Sequence, residues 1–453
     1  MHEPLSSRRS IPAVSRVLEA LGSTGLPHNL VVETIREELA RLRKSGDSLG
    51  LEGVTQRVRT ALELYSRSKL QSVINGTGVI LHTNFGRAPL SLEAARAAAD
   101  ISAGYTNLEF DLETGQRGGR GRYVERNLAA LCQAEAATVV NNCAAALVLA
   151  VKHFADQREA VVSRGELVQI GGGFRIGEIL VAAGGRLREV GATNRTTVSD
   201  YEKAIGPETG LILSVHRSNF YMEGFVESPD LAALAALARK KRIPLLVDLG
   251  TGALVPPAEF SDEEPEPTPA DTLRKGADLV CFSGDKLFGG PQCGIIAGRK
   301  RLVDQLKRNP LFRALRCDKL CLAALQVTVD QHLRGATNEV PALALMREEK
   351  DVLRGRAAVI FSQLRGLPAR ISVGRGRGKA GGGTKPKAVI PSITIDIVPE
   401  NVPLEEFSAT LRRHKPPIIG YIANGVFKLD LRTILYAQDE LVVDAVRSVL
   451  TTH

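Results

Sequence analysis

The sequence predicts an α/β chain. A doubly wound, mostly parallel sheet is expected over residues 67–298, a small helical module before it at 1–66, and a smaller α+β part after it at 299–453. Three observations carry this. Short apolar runs alternate with helical patterns between residues 137 and 297, the rhythm of parallel strands joined by crossover helices. Many of the 43 glycines gather where those runs end, as they do in loops that approach a ligand closely. The first 66 residues carry apolar positions at helical spacing instead.

In the helical module, Ile11-Pro12 opens a pattern with Val14, Val17, Leu18 and Leu21 on one side. A second helix is expected from Asn29 to Leu42 and a third from Leu51 to Tyr65. From Leu70 the character changes. Ile74-Asn75-Gly76-Thr77-Gly78 and His82-Thr83-Asn84-Phe85-Gly86-Arg87 pack polar and glycine residues between apolar ones and read as a binding loop. Residues 105–125 form another irregular polar segment, ahead of a helix at Val124–Cys132. Strands are expected at Ala137–Val140, Glu159–Ser163, Ile179–Ala183, Arg188–Val190, Leu211–His216 and Ile243–Val247, with a loop at Gly171-Gly172-Gly173. The acidic, proline-rich stretch 254–271 reads as a surface loop. In the last third, helices are expected near 300–309 and 339–363 and strands near 389–397 and 426–431, and the Gly/Lys/Arg tract at 373–387 reads as a flexible loop.

Charge is patchy as well as positive, at +9 overall. Residues 299–323 hold eight Lys or Arg against two Asp, and 368–388 hold six against none, which suits a polyanionic partner or simply a solvated face. The six cysteines show no Cys-x-x-Cys spacing and read as reduced thiols of a cytoplasmic protein. Neither a signal peptide nor an apolar run of membrane-spanning length is recognisable.

Three separated features fit one cofactor. The apolar strand Leu279–Phe282 runs through Ser283-Gly284-Asp285 into Lys286, and the turn Gly289-Gly290 leads to a second apolar strand, Gly294–Ala297. A lysine held by backbone on both sides is placed to form an imine with a carbonyl cofactor. Asp248 follows Leu245-Leu246-Val247 at a strand's carboxyl end, where open α/β sheets bind ligands and where a buried carboxylate needs a cation. Asn142, Cys143 and Ala144 stand at a strand-to-helix junction whose free N–H groups suit a phosphate. Pyridoxal phosphate requires all three: an amine for its aldehyde, a carboxylate for its ring nitrogen, and a helix start for its phosphate. Ser283 joins them at the end of the lysine strand. His216 or His82 lies against the ring or contacts its oxygen, or is a core histidine satisfied by backbone.

Over nearly its whole length the sequence resembles the bacterial L-seryl-tRNA(Sec) selenium transferases, the selenocysteine synthases. The resemblance rests on Asn75-Gly76-Thr77-Gly78, Leu81-His82-Thr83-Asn84, Gly86-Arg87 and Asn107-Leu108-Glu109-Phe110-Asp111-Leu112. It continues through Ser163-Arg164-Gly165-Glu166-Leu167-Val168, Gly191-Ala192-Thr193-Asn194-Arg195-Thr196, Val247-Asp248-Leu249-Gly250 and Phe282-Ser283-Gly284-Asp285-Lys286-Leu287 with Gly289-Gly290-Pro291-Gln292. It implies a pyridoxal phosphate enzyme of fold type I, the aspartate-aminotransferase-like class, assembled as a ring-shaped homodecamer. It implies that residues 1–66 grip the selenocysteine tRNA, that Lys286 is the Schiff-base lysine, and that Arg87, Arg313 and Arg316 hold selenophosphate. The reaction it implies is loss of the serine hydroxyl to give an aminoacrylyl-tRNA, then addition of selenium.

The sequence departs from the family pattern at Gln169, Cys143, Tyr421 and Lys385. None of these removes a residue that the chemistry needs. Two other readings share the cofactor residues or the tRNA module: a lyase or transferase acting on a free amino acid, and a tRNA-binding protein without catalysis. The module at 1–66 and the arginine trio speak against the first, the intact Asp248, Lys286 and phosphate turn against the second.

Overall fold

Apolar runs at helical spacing bury one face each in the first 72 residues, which form one of the two compact units of the computed structural model. The structure describes residues 11–47, 49–170, 173–255, 266–384 and 386–452. Helices Val14–Leu21, His28–Ser45 and Leu51–Arg67 enclose a core of Val17, Ile35, Leu39, Leu42, Val54 and Val58. Both longer helices run past their expected ends. The second closes on Gly46, whose φ of 77° is the left-handed conformation that ends a helix without a Cβ clash.

In the second unit, from Val73 on, a seven-stranded sheet runs in the order Ala136–Val140, Gly294–Gly298, Leu279–Ser283, Leu245–Gly250, Thr209–Val215, Glu159–Ser163, Arg186–Val190. Gly294–Gly298 is antiparallel to both neighbours and the other neighbouring pairs are parallel, so the sheet is mostly parallel, as expected. Leu279–Ser283 is buried throughout, which a continuous apolar strand covered on both faces requires. The two cores contain Leu128, Val247 and Phe282 in one and Leu149, Val162 and Cys281 in the other.

A five-stranded sheet follows, ordered Tyr421–Ala423, Val426–Asp430, Ile390–Pro399, Ala369–Gly381, Val79–Leu81. Its last strand comes from the start of the unit, and Ile74–Asn75 pairs in parallel with Ile418–Ile419. Residues 74–81, expected to be a binding loop, are therefore partly strand: Ile74 and Ile80 are buried and their backbone is paired.

Several expectations are corrected. Ile179–Ala183 is no strand; helix Ile176–Ala182 takes most of it, because Ile176 and Leu180 point to the sheet at helical spacing. A five-residue apolar run does not separate the two periods. The tract at 373–387 is no loop over 373–381, which belongs to strand Ala369–Gly381 and pairs with Ile390–Pro399. Its glycines are required by crossing side chains: a Cβ at Gly374 would meet Asp396 Oδ2 at 2.3 Å, and one at Gly378 would meet Arg432 Cδ at 2.9 Å. Arg370, Arg375, Arg377 and Lys379 occupy its exposed positions.

Within 105–125, Phe110–Asp111 and Gln116–Arg117 form a short hairpin, and the next helix starts at Arg122. The stretch 254–271 ends in helix rather than loop, since Thr268 caps helix Pro269–Arg274; its residues 256–265 lie outside the described residues, as do Gly171, Gly172 and Lys385. Helix Lys319–Leu333, which no apolar stripe announces, packs Leu325 and Val329 into the large-sheet core. Among the described residues no helix is long and apolar enough to cross a membrane.

Candidate active site

Strand Leu279–Ser283 delivers the chain to the carboxyl edge of the large sheet, where a closed turn takes over. Gly284 N–H donates to Cys293 O at 2.9 Å, Gly290 N–H to Gly284 O at 2.7 Å, and Gly289 N–H to Lys286 O at 2.9 Å. Gly289 sits at φ 74°, and a Cβ there would meet Val340 Cγ1 at 2.2 Å, so only glycine closes this turn. Lys286 is held inside it and is 4% exposed. Its Nζ reaches the neighbouring strand end, 3.8 Å from where a Cβ on Gly250 would stand.

Asp248 lies on that neighbouring strand, 6% exposed. Its Oδ1 accepts from Gly250 N–H at 2.9 Å and from the Cys143 thiol at 3.4 Å. Burial raises the Asp248 pKa against the pull of Lys286, and burial lowers that of Lys286. The protein alone thus leaves both charges under-solvated, and a cationic ring nitrogen against Asp248 would keep the carboxylate ionised.

Asn142 caps helix Cys143–Phe154, its Oδ1 accepting from Ala145 N–H at 2.8 Å. The N–H groups of Cys143 and Ala144, in the first turn, have no acceptor within the helix. The turn is pressed onto Gly294, where a Cβ would stand 2.2 Å from Asn142 O and 2.9 Å from Cys143 N. Asn142, Cys143, Ala144, Asp248, Ser283, Lys286 and Arg87 line one cavity of about 310 Å³. A phosphate cup, a carboxylate and an amine thus share one wall set, and the arrangement fits pyridoxal phosphate.

Arg87, at φ 64°, pairs through Nη1 with Asp285 Oδ2 at 2.9 Å and Oδ1 at 3.2 Å. The sequence reading missed this partner, though Asp285 directly precedes the lysine. Arg313 and Arg316 are not brought to Arg87. They line a second cavity of about 450 Å³ with Arg120, Lys307 and Arg308, where Arg316 Nη1 is 3.1 Å from Glu109 Oε1. His216 follows strand Thr209–Val215; its N–H donates to Asp248 O at 2.8 Å and its Nε2 lies 3.4 Å from Glu266 Oε1. The ring of His82 stacks on Phe85 with centroids 3.9 Å apart, and burial lowers its pKa. Of the departures, Gln169 Oε1 accepts from Arg175 Nε at 2.8 Å, and burial near Asp430 and Asp396 pushes the Tyr421 hydroxyl up to about 12.

Glu166, also unforeseen, buttresses the strand end that leads to His216, accepting from Val215 N–H at 2.9 Å and Ser214 Oγ at 3.3 Å. Burial pushes its pKa from 4.5 up to about 7. The folded state therefore keeps a proton that the unfolded chain releases. This contribution is fully present below about pH 4.5 and is lost as pH rises through about 7, a change of about 3 kcal/mol. Glu166→Gln should remove that segment of the pH–stability curve. Denaturant midpoints of the two proteins from pH 4.5 to 8 measure it, and parallel curves would refute a raised pKa.

The model of the family described as "SelA: L-seryl-tRNA selenium transferase" matches residues 73–435. The chain is 40% identical over 432 residues to the L-seryl-tRNA(Sec) selenium transferase of Aquifex aeolicus, covering 94% of this chain and 95% of the relative. It is 42% identical over 453 residues to that of Geobacter sulfurreducens, covering 96% and 98%. Among solved structures it is similar to a D-glucosaminate-6-phosphate ammonia-lyase, with TM-score 0.59 and 22% identity, over 86% of this chain and 98% of that one. The architecture is the α/β one expected for fold type I. The chain belongs to the L-seryl-tRNA selenium transferase family.

Proposed function

We propose that the chain converts L-seryl-tRNA(Sec) to L-selenocysteinyl-tRNA(Sec), with pyridoxal phosphate as cofactor and selenophosphate as selenium donor. One observation carries the reading. A buried amine, a buried carboxylate and a free helix start line one cavity, in a chain that matches this family along residues 73–435. Bound there, pyridoxal phosphate supplies an aldehyde that captures the seryl amine and a ring that withdraws electrons from its α-carbon.

The chain's own groups do the rest. Cys143 and Ala144 N–H groups would hold the phosphate, with Ser283 and Asn142 shaping the wall around it. Asp248 would keep the cofactor's ring nitrogen protonated. Lys286, which would hold the cofactor's aldehyde carbon and is biased by burial towards its neutral form, would take the α-proton. The hydroxyl leaves from the β-carbon as water; the P–Se bond of selenophosphate then breaks, water takes up the phosphoryl group as inorganic phosphate, and selenium bonds to the β-carbon while the α-carbon regains a proton. His216, fixed through its backbone to Asp248, would stand beside the cofactor.

Arg87, Arg313 and Arg316 hold the anionic donor, since guanidinium forks present paired donors to a tetrahedral oxyanion. Within one chain they line two cavities. In this reading the enzyme is a homo-oligomer, a ring-shaped decamer. Residues 1–66 bind the tRNA, and the enzyme works in the cytoplasm.

The visible spectrum of the purified protein, before and after seryl-tRNA(Sec), tests the substrate. A cofactor band that shifts with the charged tRNA but not with free serine is the expected result. A shift with free serine would assign a small-molecule lyase instead.

A further inference from the structure

Glu109 stands beside Arg316, and nothing in the cofactor chemistry gives it a task. It directly precedes the hairpin Phe110–Asp111 and Gln116–Arg117, and Gly118 N–H closes that hairpin onto Glu109 O at 2.9 Å. Its carboxylate gathers three guanidinium groups. Oε1 accepts from Arg120 Nη1 and from Arg316 Nη1, each at 3.1 Å, and Oε2 from Arg117 Nη2 at 2.8 Å. The three are unequal. Arg117 is mostly exposed and its pair adds little against solvent, whereas Glu109, Arg120 and Arg316 are largely covered. The hydrogen bond from Arg120 holds the Glu109 pKa below its ordinary value, so the carboxylate is ionised at neutral pH.

Arg316 is held from two directions. Its backbone bridges Val140, and Asn141 N–H donates to Leu315 O at 2.9 Å, which ties this stretch to the strand end before Asn142. Arg120 braces the next residue, donating through Nε to Cys317 O at 3.1 Å. The backbone is thereby set, but a long flexible side chain still separates it from the guanidinium. Glu109 removes that freedom at Nη1. The Nε of Arg316 is buried without a partner among the described residues, and no acceptor among them engages its Nη2. Nε and Nη2 form one edge of a guanidinium, the fork that takes two oxygens of a tetrahedral anion. The carboxylate therefore occupies the one nitrogen outside that fork.

We propose that Glu109 is a positioning residue for the selenium donor: it anchors Arg316 by Nη1 and leaves the Nε–Nη2 edge for an oxyanion in the cavity that Arg313 and Arg316 line. This rests on the reading that Arg316 holds selenophosphate. Glu109 does not touch the donor, and its charge acts through Arg316. A carboxylate near an anion site also repels the anion, but here the repulsion is outweighed. Arg120, Lys307, Arg308, Arg313 and Arg316 line that cavity against the single carboxylate of Glu125, and Glu109 itself stays outside the lining. Glu125 is moreover paired with Lys307 at 2.6 Å.

Selenocysteinyl-tRNA formation by the holoenzyme, followed against selenophosphate concentration at saturating seryl-tRNA(Sec), tests this. Glu109→Gln keeps an oxygen for the arginines and removes only the charge. It should raise KM for selenophosphate roughly fivefold to tenfold and leave kcat within about twofold. KM for seryl-tRNA(Sec) and the cofactor band should not move. Arg316→Ala should raise the donor KM at least as far, and adding Glu109→Gln to it should raise it no further. A rise in both KM values, or loss of the cofactor band, would make Glu109 merely structural. Additive effects in the double variant would separate Glu109 from Arg316 and overturn the proposal. A donor KM that rises in Arg316→Ala but is unchanged or lower in Glu109→Gln would also overturn it, with the donor reading of Arg316 left standing. An unchanged donor KM in Arg316→Ala would overturn that reading, and the positioning role with it.

Discussion

Lys286→Ala is expected to lower selenocysteinyl-tRNA formation by at least about 10³-fold, since it removes both the proposed anchor of the cofactor and the proposed base. Selenium incorporation into charged tRNA measures the loss. The fold should not suffer. Lys286 is 4% exposed and burial already lowers its pKa, so its ammonium form is disfavoured in the folded protein. Removing a group whose charge is penalised by burial should leave the melting temperature unchanged or higher. Lys286→Arg is the sharper companion: it keeps a cation beside Asp248 but supplies no amine for the imine, and it should be as inactive as alanine. An active arginine variant would assign Lys286 an electrostatic role only.

Asp248→Asn should cost about 10²–10⁴-fold in turnover, for a different reason. The amide oxygen can still accept from Gly250 N–H, now 2.9 Å from Asp248 Oδ1, so the strand end keeps its shape. What is lost is the negative charge proposed to retain a proton on the ring nitrogen. The two variants therefore separate by spectrum. Lys286→Ala should fail to develop the parent's protein-linked cofactor band. Asp248→Asn should develop that band but release cofactor faster on dilution. If Asp248→Asn retained parental turnover and cofactor retention, the carboxylate would be merely structural.

The lysine turn and Asp248 were legible because each is set by a contiguous stretch: an apolar strand, then the functional residue, then glycines. The helix start at Asn142-Cys143-Ala144, which follows the strand ending at Val140, was legible for the same reason. What escaped depends on partners distant in the chain. Arg87 and Asp285 pair across 198 positions, and nothing local in either stretch points to the other. Residues 373–381 of strand Ala369–Gly381 were mistaken for a loop because glycine there answers to Asp396 and Asp430 on other strands and to Arg432 in the turn after them. Helix Lys319–Leu333 escaped because its apolar residues are spread around it rather than along one face. The arginine trio shows the limit from the other side, since sequence likeness grouped three residues that one folded chain keeps in two cavities.

The pairing of Ile74–Asn75 with Ile418–Ile419, and of Val79–Leu81 with Ala369–Gly381, has a consequence for biosynthesis. A ribosome emits residues 74–81 long before their partners exist. The large sheet, complete by Gly298, can form on the nascent chain, but Val79–Leu81, which leads to Arg87, has no strand to join until residue 381 has emerged, and Ile74–Asn75 none until residue 419. The cavity wall bearing Arg87 is thus finished only near the end of synthesis, and a chain cut short before residue 369 would carry the lysine and the aspartate without it.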